Sequence, residues 1–431
     1  MSYLYHQLSE SFWCLPSLIA IAAIALSVGT LALDRNPPLS FYELLPWSEG
    51  LDRSNARLIM STISGSIITA ASLVFSLTLV SLTLAAGQLG PRLLSIFMRD
   101  RITQVAIGTF VGTFIFALLV LANLGETEGA LEVPRASIFV ALVLTLLSFG
   151  LLIAFVHHQA RSLNADVVVA RLAQNLDAQL SALLGDPEDQ CSSVSREFEG
   201  KWTQSKDVLS NASGYVQTID CKALVEIAIG HDTEILLHYR AGHFVHEGEA
   251  IARIRGEPEK FRQLADDVCG SIVLGPKRTD AEDPEHAFQA IAEIALRALS
   301  PGINDPYTAL TCIDWLGDAL TKVLTGRMPE STFQDEDGAI RLHTDPLCVE
   351  GFFDVALNEI RQAAEGKAPV LIRLAEMLVR LGKVANTASK RGIIQRHADM
   401  IERTCERSIT EGNDREDFQR RLREVKLALS S

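Results

Sequence analysis

No two of the seven cysteines, Cys14, Cys191, Cys221, Cys269, Cys312, Cys348 and Cys405, stand within twenty residues of each other. Without a CxxC pair, zinc-ribbon and thioredoxin-type chemistry is excluded. Their scatter through a sizeable chain fits reduced, buried thiols better than a disulfide framework. The sequence also lacks GxSxG, GxxxxGKS/T, HExxH and GxGxxG. It therefore has no nucleophile elbow, P-loop, zinc-protease helix or dinucleotide fingerprint. These absences leave no catalytic residue, metal ligand or cofactor to assign. A basic stripe is missing too. The net charge is −14; nine acidic and seven basic residues precede residue 160, and 44 acidic against 32 basic follow. That imbalance argues against nucleic acid as a partner and against the acidic part lying on anionic lipid.

The absence with the largest consequence is local. No Asp, Glu, Lys or Arg occurs between Glu10 and Asp34, between Arg57 and Arg92, between Arg101 and Glu126, or from Ala136 to Val156. A helix crossing the hydrocarbon core needs about 20 apolar residues, because each rises about 1.5 Å across about 30 Å. The mean hydropathy of +0.19 is concentrated in these stretches. A very apolar soluble core would show polar residues every turn. We read four spans, at about 15–33, 58–86, 102–124 and 136–156. The first lacks an n-terminal Lys or Arg and a clear small-x-small cleavage site, so it reads as an uncleaved span rather than a signal peptide.

The loop after the first span carries prolines with Tyr42 and Trp47, which suits a membrane interface. Orientation follows the arginines of the short loops. Arg92, Arg99 and Arg101 lie between spans two and three and Arg161 and Arg171 follow span four; Arg35, Arg53, Arg57 and Arg135 lie on the other side. Because the third-to-fourth loop carries three glutamates, both termini are expected in the cytoplasm.

After the spans, Leu163, Val167, Ala170, Leu176, Leu180 and Leu183 recur near helical spacing, so a helix is expected to continue span four to about Leu184. A polar stretch leads to a short α/β section. There Gly214–Ile219, 234–239 and 250–254 read as strands, and Asp220 as the cap of a helix to Ile229. Beyond Pro258 the pattern is helical. Asp-Pro pairs at 283–284 and 305–306 suit helix starts, since aspartate accepts from free first-turn amides and proline has none to satisfy. The expected organisation is a four-span transmembrane domain (1–158), a connecting helix and polar linker (159–212), a small α/β section (213–256) and a helical cytoplasmic domain (257–431). The fold class is thus membrane all-α plus a soluble, mostly helical α+β domain with a small β section.

Two constellations carry functional candidates. In the second span, Thr62, Ser66, Thr69, Ser72 and Ser76 recur at three or four residues, which puts them along one side of a helix with Gly65. Facing copies of such a stripe line a water-filled path; the same residues also serve close helix packing and back-bonding to carbonyls. In DPEHAFQAIAEIALRALSPGINDPYTAL, His286, Glu293 and Arg297 share a polar helix face, and Asn304 and Asp305 follow in the loop SPGINDP. They read either as a site for an ion or small polar ligand, or as an i,i+4 pair plus a capping loop. Further features are an arginine-bearing amphipathic segment after Gly87 and a hairpin, AGHFVHEGEAIARI, of barrel-sandwich type. That hairpin has no lysine at its turn for a covalent cofactor, and its histidines His238, His243 and His246 read as surface groups.

GQLGPRLLSIFMRDRITQVAIGTFVGTF and RALSPGINDPYTAL resemble hallmark segments of a bacterial family of predicted membrane proteins, the domain of unknown function 2254 family. The likeness covers nearly the whole chain, with GPKRTDAEDPEHAF and SPGINDP following the spans in that order. It implies the architecture and a place in the bacterial inner membrane, and it does not choose among functions. Four spans seldom enclose a path alone, so a channel-like homo-oligomer with a cytoplasmic regulatory domain is the leading expectation. A membrane-anchored ligand sensor or scaffold is second, and an enzyme third.

Overall fold

The structure is a computed structural model describing residues 12–35, 51–88, 90, 100–124, 133–162, 164–185, 205–255, 261–279 and 282–430. Tyr42, Trp47, the segment around Arg92 and Arg99, the acidic third-to-fourth loop and most of the polar linker lie outside the described residues. Internal packing divides the chain into two units, residues 1–167 and 168–431.

In the first unit, α1 (Cys14–Arg35), α2 (Arg53–Gln88), α3 (Arg101–Asn123) and α4 (Arg135–Ser162) are each long and apolar enough to cross a membrane. The most enclosed of them is α3, which packs on all three others. Two glycines spaced by four let it approach α1. A Cβ on Gly108 would lie 2.9 Å from the Pro16 Cα, and one on Gly112 would lie 3.2 Å from the Ala23 Cβ. Hydrocarbon gives helices no hydrophobic reason to associate, so small residues that admit close contact do the holding. Met60, Ile67, Phe110, Phe116, Ile138 and Phe155 fill the middle of the bundle, and the buried hydroxyls of Thr113 and Ser148 meet at 3.2 Å between α3 and α4.

Carboxylates close two helix starts. Asp34, near the end of α1, accepts from the Ala136 N–H (2.8 Å), the Ser137 N–H (3.0 Å) and the Ser137 hydroxyl (2.6 Å). It thereby caps α4, a helix about a hundred residues away in sequence. Asp100 caps its own helix α3 through the Thr103 N–H and hydroxyl, and lies 2.9 Å from His158 near the end of α4.

The second unit opens with α5 (Ala165–Leu183). It does not continue α4 directly: Asn164 is non-helical and its side chain accepts from the Asp166 N–H at 2.9 Å, so a new helix starts there. Val169, Ala173, Leu176 and Leu180 form its buried side, whereas Val167 is exposed. Among the described residues eight strands follow: β1 (Ser205–Leu209), β2 (Gly214–Ile219), β3 (Ile235–Leu237), β4 (Phe244–Val245), β5 (Ala250–Arg255), β6 (Ile272–Gly275), β7 (Thr332–Gln334) and β8 (Ile340–His343). They make a five-stranded sheet, β1-β5-β3-β8-β7, and a three-stranded sheet, β4-β2-β6. Every described pairing is antiparallel except β3 with β8. The stretch beyond Pro258 is therefore not wholly helical, since it supplies three strands. Helices α6 (Cys221–Gly230) and α7 (Phe261–Gly270) bring Leu224, Ala228, Leu264 and Val268 to the same core as Val216, Ile235, Ile254 and Leu342.

The remainder is a helical array of α8 (Pro284–Leu299), α9 (Pro306–Thr325), α10 (Val349–Ala363), α11 (Ala368–Val384), α12 (Ala388–Ser408) and α13 (Gly412–Ser430). Asp283 and Asp305 cap α8 and α9 just before their prolines, as the Asp-Pro pairs predict. Phe288 and Phe352 meet at 5.3 Å between ring centroids, joining α8 to α10.

Candidate functional site

The 36 residues of α2 rise about 54 Å, well beyond the roughly 30 Å of hydrocarbon. Its spacing sorts side chains into two faces. Met60, Ile63, Ile67, Ala71 and Val74 are buried in the helix bundle. Thr62, Ser66, Thr69, Ser72 and Ser76 are all exposed on the opposite side, together with Gly65, around which a Cβ would find open space. The structure thus brings all five stripe residues to one face and turns that face away from the chain's own bundle. The hydroxyls of Thr62, Thr69 and Ser72 donate to carbonyls one turn back, at 2.7, 2.9 and 2.9 Å. Their protons are spent on the backbone, so the outward surface presents hydroxyl oxygens with free lone pairs. Leu58, Leu73 and Leu79 flank the stripe. The segment that follows Gly90 lies outside the described residues.

In the second unit, His286 sits in the first turn of α8, where its N–H donates to Asp283 at 3.1 Å. Glu293 and Arg297, one turn apart, approach to 3.9 Å. Asp305 accepts from the Thr308 N–H (3.2 Å) and hydroxyl (2.5 Å) at the start of α9. Asn304 is exposed, with a φ of 49° in the left-handed region that asparagine tolerates. The 16 residues of α8 span about 24 Å and stand between His286 and the Asn304–Asp305 pair, so these do not converge on one ligand.

What the structure does assemble is a clasp absent from the sequence reading. Arg240, at the hairpin, donates to both oxygens of Glu285 (3.0 and 2.9 Å) and to Asp345 (2.5 Å). Burial works against its charge, but Glu285 and Asp345 outweigh that and hold its pKa above the ordinary value. Beside it, Arg278 binds Asp283 at 2.6 Å and donates to Gln289 at 3.1 Å. Gly242, with φ +91°, is required here, because a Cβ would lie 2.1 Å from an Asp283 oxygen. Sequence spacing gives no hint of this, since the bonded residues stand 45 and 105 positions apart.

The three histidines of the hairpin do not form a cluster. His243 lies 3.8 Å from Asp345, and His246 packs edge-on against Phe244. Burial, then the charge of Arg240, holds His243 below the usual imidazole pKa; burial and Arg253 do the same to His238. Among the described residues no three His, Cys, Asp or Glu side chains converge to hold a metal ion.

Comparison with known proteins adds the lineage. The chain is 27% identical over 373 residues to an uncharacterized protein of Mycobacterium tuberculosis and to one of Mycobacterium bovis, covering 84% of this chain and 70% of each relative. No solved structure matches it. Residues 9–380 match the DUF2254 family, described as predicted membrane proteins. With four candidate spans in place and the match covering most of its length, the chain belongs to the DUF2254 family.

Proposed function

We propose that the chain is an integral protein of the bacterial inner membrane, assembling as a homo-oligomer around a path lined by α2, with a cytoplasmic regulatory domain. The observation that carries this reading is the outward hydroxyl face. A lone bundle in lipid gains by showing Leu, Ile and Phe outward, yet Thr62, Ser66, Thr69, Ser72 and Ser76 point out while Ile63, Ile67 and Val74 point in. Several copies about an axis give those hydroxyls water and one another as partners, and an ion a ring of oxygens. Arg92, Arg99, Arg101 and Arg161 favour a cytoplasmic side for the soluble part. Within this reading residues 1–158 are the membrane domain, 159–212 the connection, and 213–256 with 257–431 the regulatory domain.

Planar-bilayer conductance, measured beside oligomer mass for the wild type and Ser76→Leu, tests it. We expect current from the assembled wild type, and assembled but non-conducting Ser76→Leu, because an apolar constriction excludes water and ions. No wild-type current across voltage, tension and pH, with assembly broken by Ser76→Leu, sinks the channel and makes the face a packing surface.

A sensor or scaffold is then the reading left, and one observation favours it. The loop before α9 is pinned by bonds from Asn304 N–H to the Ser300 carbonyl (2.9 Å) and Asp305 N–H to the Ala298 carbonyl (2.7 Å). Close to that rigid loop Tyr307 is 78% exposed and Ile303 40% exposed, as a protein-docking surface requires.

A further inference from the structure

Between α9 and α11, away from the stripe and the clasp, the second unit carries a groove of about 340 Å³. That falls in the range of small-molecule sites, roughly 300–1,000 Å³. Its α9 side is one helix face, because Asp314, Gly317, Asp318 and Thr321 recur at three or four residues. Trp315 stands beside them, and Met377 and Arg380 of α11 close the other side.

The apolar floor follows from one glycine. A Cβ on Gly317 would lie 2.8 Å from the Met377 Cγ, so the bare backbone lets the buried Met377 press against α9. Thr321 turns its hydroxyl proton onto the Gly317 carbonyl at 2.9 Å, which leaves its oxygen as an acceptor. A thioether and a half-buried indole thus offer a molecule in the groove a polarisable apolar surface.

The charges around that floor are unevenly matched. Arg421, Glu376, Arg373 and Asp314 form an alternating row at 3.0, 3.5 and 3.1 Å, and the row is complete in itself. Asp318 and Arg380 are left over. Among the described residues Asp318 has neither a hydrogen bond nor an ion pair. Arg380 donates no hydrogen bond there and comes only within 3.9 Å of Asp314, whose oxygens Arg373 already holds. One carboxylate and one guanidinium therefore line the same groove from opposite helices without pairing with each other. A simple cation entering the groove meets the charge of Arg380, and a simple anion that of Asp318. A molecule carrying both signs satisfies both.

We propose that the α9–α11 groove binds a free amino acid with an apolar side chain. Its ammonium group goes to Asp318, its carboxylate to the fork of Arg380, and its side chain onto Trp315 and Met377. The groove lies in the part read as regulatory, and the site stands independently of any conducting path.

Isothermal titration of the full chain in detergent, with L-leucine, L-methionine and L-phenylalanine as probes, tests this. We expect saturable binding of at least one, weakened about tenfold or more by Asp318→Asn and by Arg380→Gln, since each removes a charged hydrogen bond. The amide of the amino acid that binds, which lacks the carboxylate, should bind wild type about as poorly as the acid binds Arg380→Gln. Arg420→Gln, which removes a guanidinium paired with Asp417 on α13, should leave the affinity unchanged. Binding should also change the indole fluorescence, and Trp315→Phe, which keeps Trp13, Trp47 and Trp202, should remove that change. Asp318 and Arg380 are exposed, so their variants are expected to fold. Four results each overturn the proposal: no saturable binding of any probe, an amide that binds as tightly as the acid, unchanged affinity in both charge variants, or a fluorescence change that survives Trp315→Phe.

Discussion

Replacing Asp34 by alanine tests whether the first-unit bundle is held by polar caps as well as by apolar contact. The carboxylate is 7% exposed and accepts three hydrogen bonds, from the Ala136 N–H, the Ser137 N–H and the Ser137 hydroxyl. In Asp34→Ala the hydroxyl turns onto its own helix, but two backbone N–H groups stay in a place that water reaches poorly. Losing an N-cap costs about 0.5–2 kcal/mol, and each buried donor left unmet about 1–3 kcal/mol. Allowing for relaxation of the first turn of α4, we expect a loss of about 2–4 kcal/mol, while Asp34→Asn, which keeps one acceptor oxygen, should lose about 1 kcal/mol. Reversible unfolding in mixed detergent micelles, followed by helical circular dichroism, measures both. Asp34→Ala within about 0.5 kcal/mol of wild type would refute the reasoning, because the two amides would then have found other partners. Equal damage from Asn and Ala would show that charge, and not acceptor count, holds the contact.

Two further outcomes follow from the second unit. His397 is fully buried, and burial followed by the Arg396 charge pushes its pKa down to about 4 from 6.5. Between those values the unfolded chain binds the proton and the folded chain does not, so stability falls as pH drops, by about 2 kcal/mol from about pH 7 to about pH 5. Chemical unfolding at both pH values shows a shallower slope in His397→Gln; an unchanged slope removes His397 as its source. At the start of α9, Asp305→Ser should be tolerated and Asp305→Ala should cost about 1 kcal/mol if Asp305 only caps. If Asp305 binds a ligand, serine instead abolishes function with the melting temperature unchanged.

The parts legible in sequence were those whose signal is local. Charge-free runs gave four spans to within a few residues, and Asp-Pro pairs marked the starts of α8 and α9. Periodicity placed Thr62, Ser66, Thr69, Ser72 and Ser76 on one face, but angular spacing is silent on whether a face turns in or out. Short strands escaped for a physical reason. The stretches 272–275 and 332–334 offer too few residues for alternation, and the partner of the first, β2, comes from far earlier in the chain. Val167 belongs to the apolar series near helical spacing and is exposed, because it stands nine positions before Leu176 in the same helix, about half a turn round from the buried side. The contact from Asp34 to Ser137 and the Arg240 clasp join distant residues, and nothing near either partner announces the other.

The case for an occupied α2 face rests on a contrast within one bundle. On α4 the outward positions are what lipid favours, with Leu146 and Ile153 each 73% exposed. On α2 the outward positions mix hydroxyls with Leu58, Ile68, Leu73 and Leu79, and the hydroxyls are not all quiet. Thr62, Thr69 and Ser72 bond their own backbone and so cost little in hydrocarbon. Ser66 and Ser76, in the same stripe, make no such bond among the described residues. An unmet hydroxyl in an apolar medium costs about 2–7 kcal/mol, a penalty that water or a facing copy removes and lipid does not. The same chain that covers α4 with leucine and isoleucine sets a line of serine and threonine among the apolar residues of this face. Lipid alone gives no reason for that difference, and the proposed oligomer about α2 would supply one.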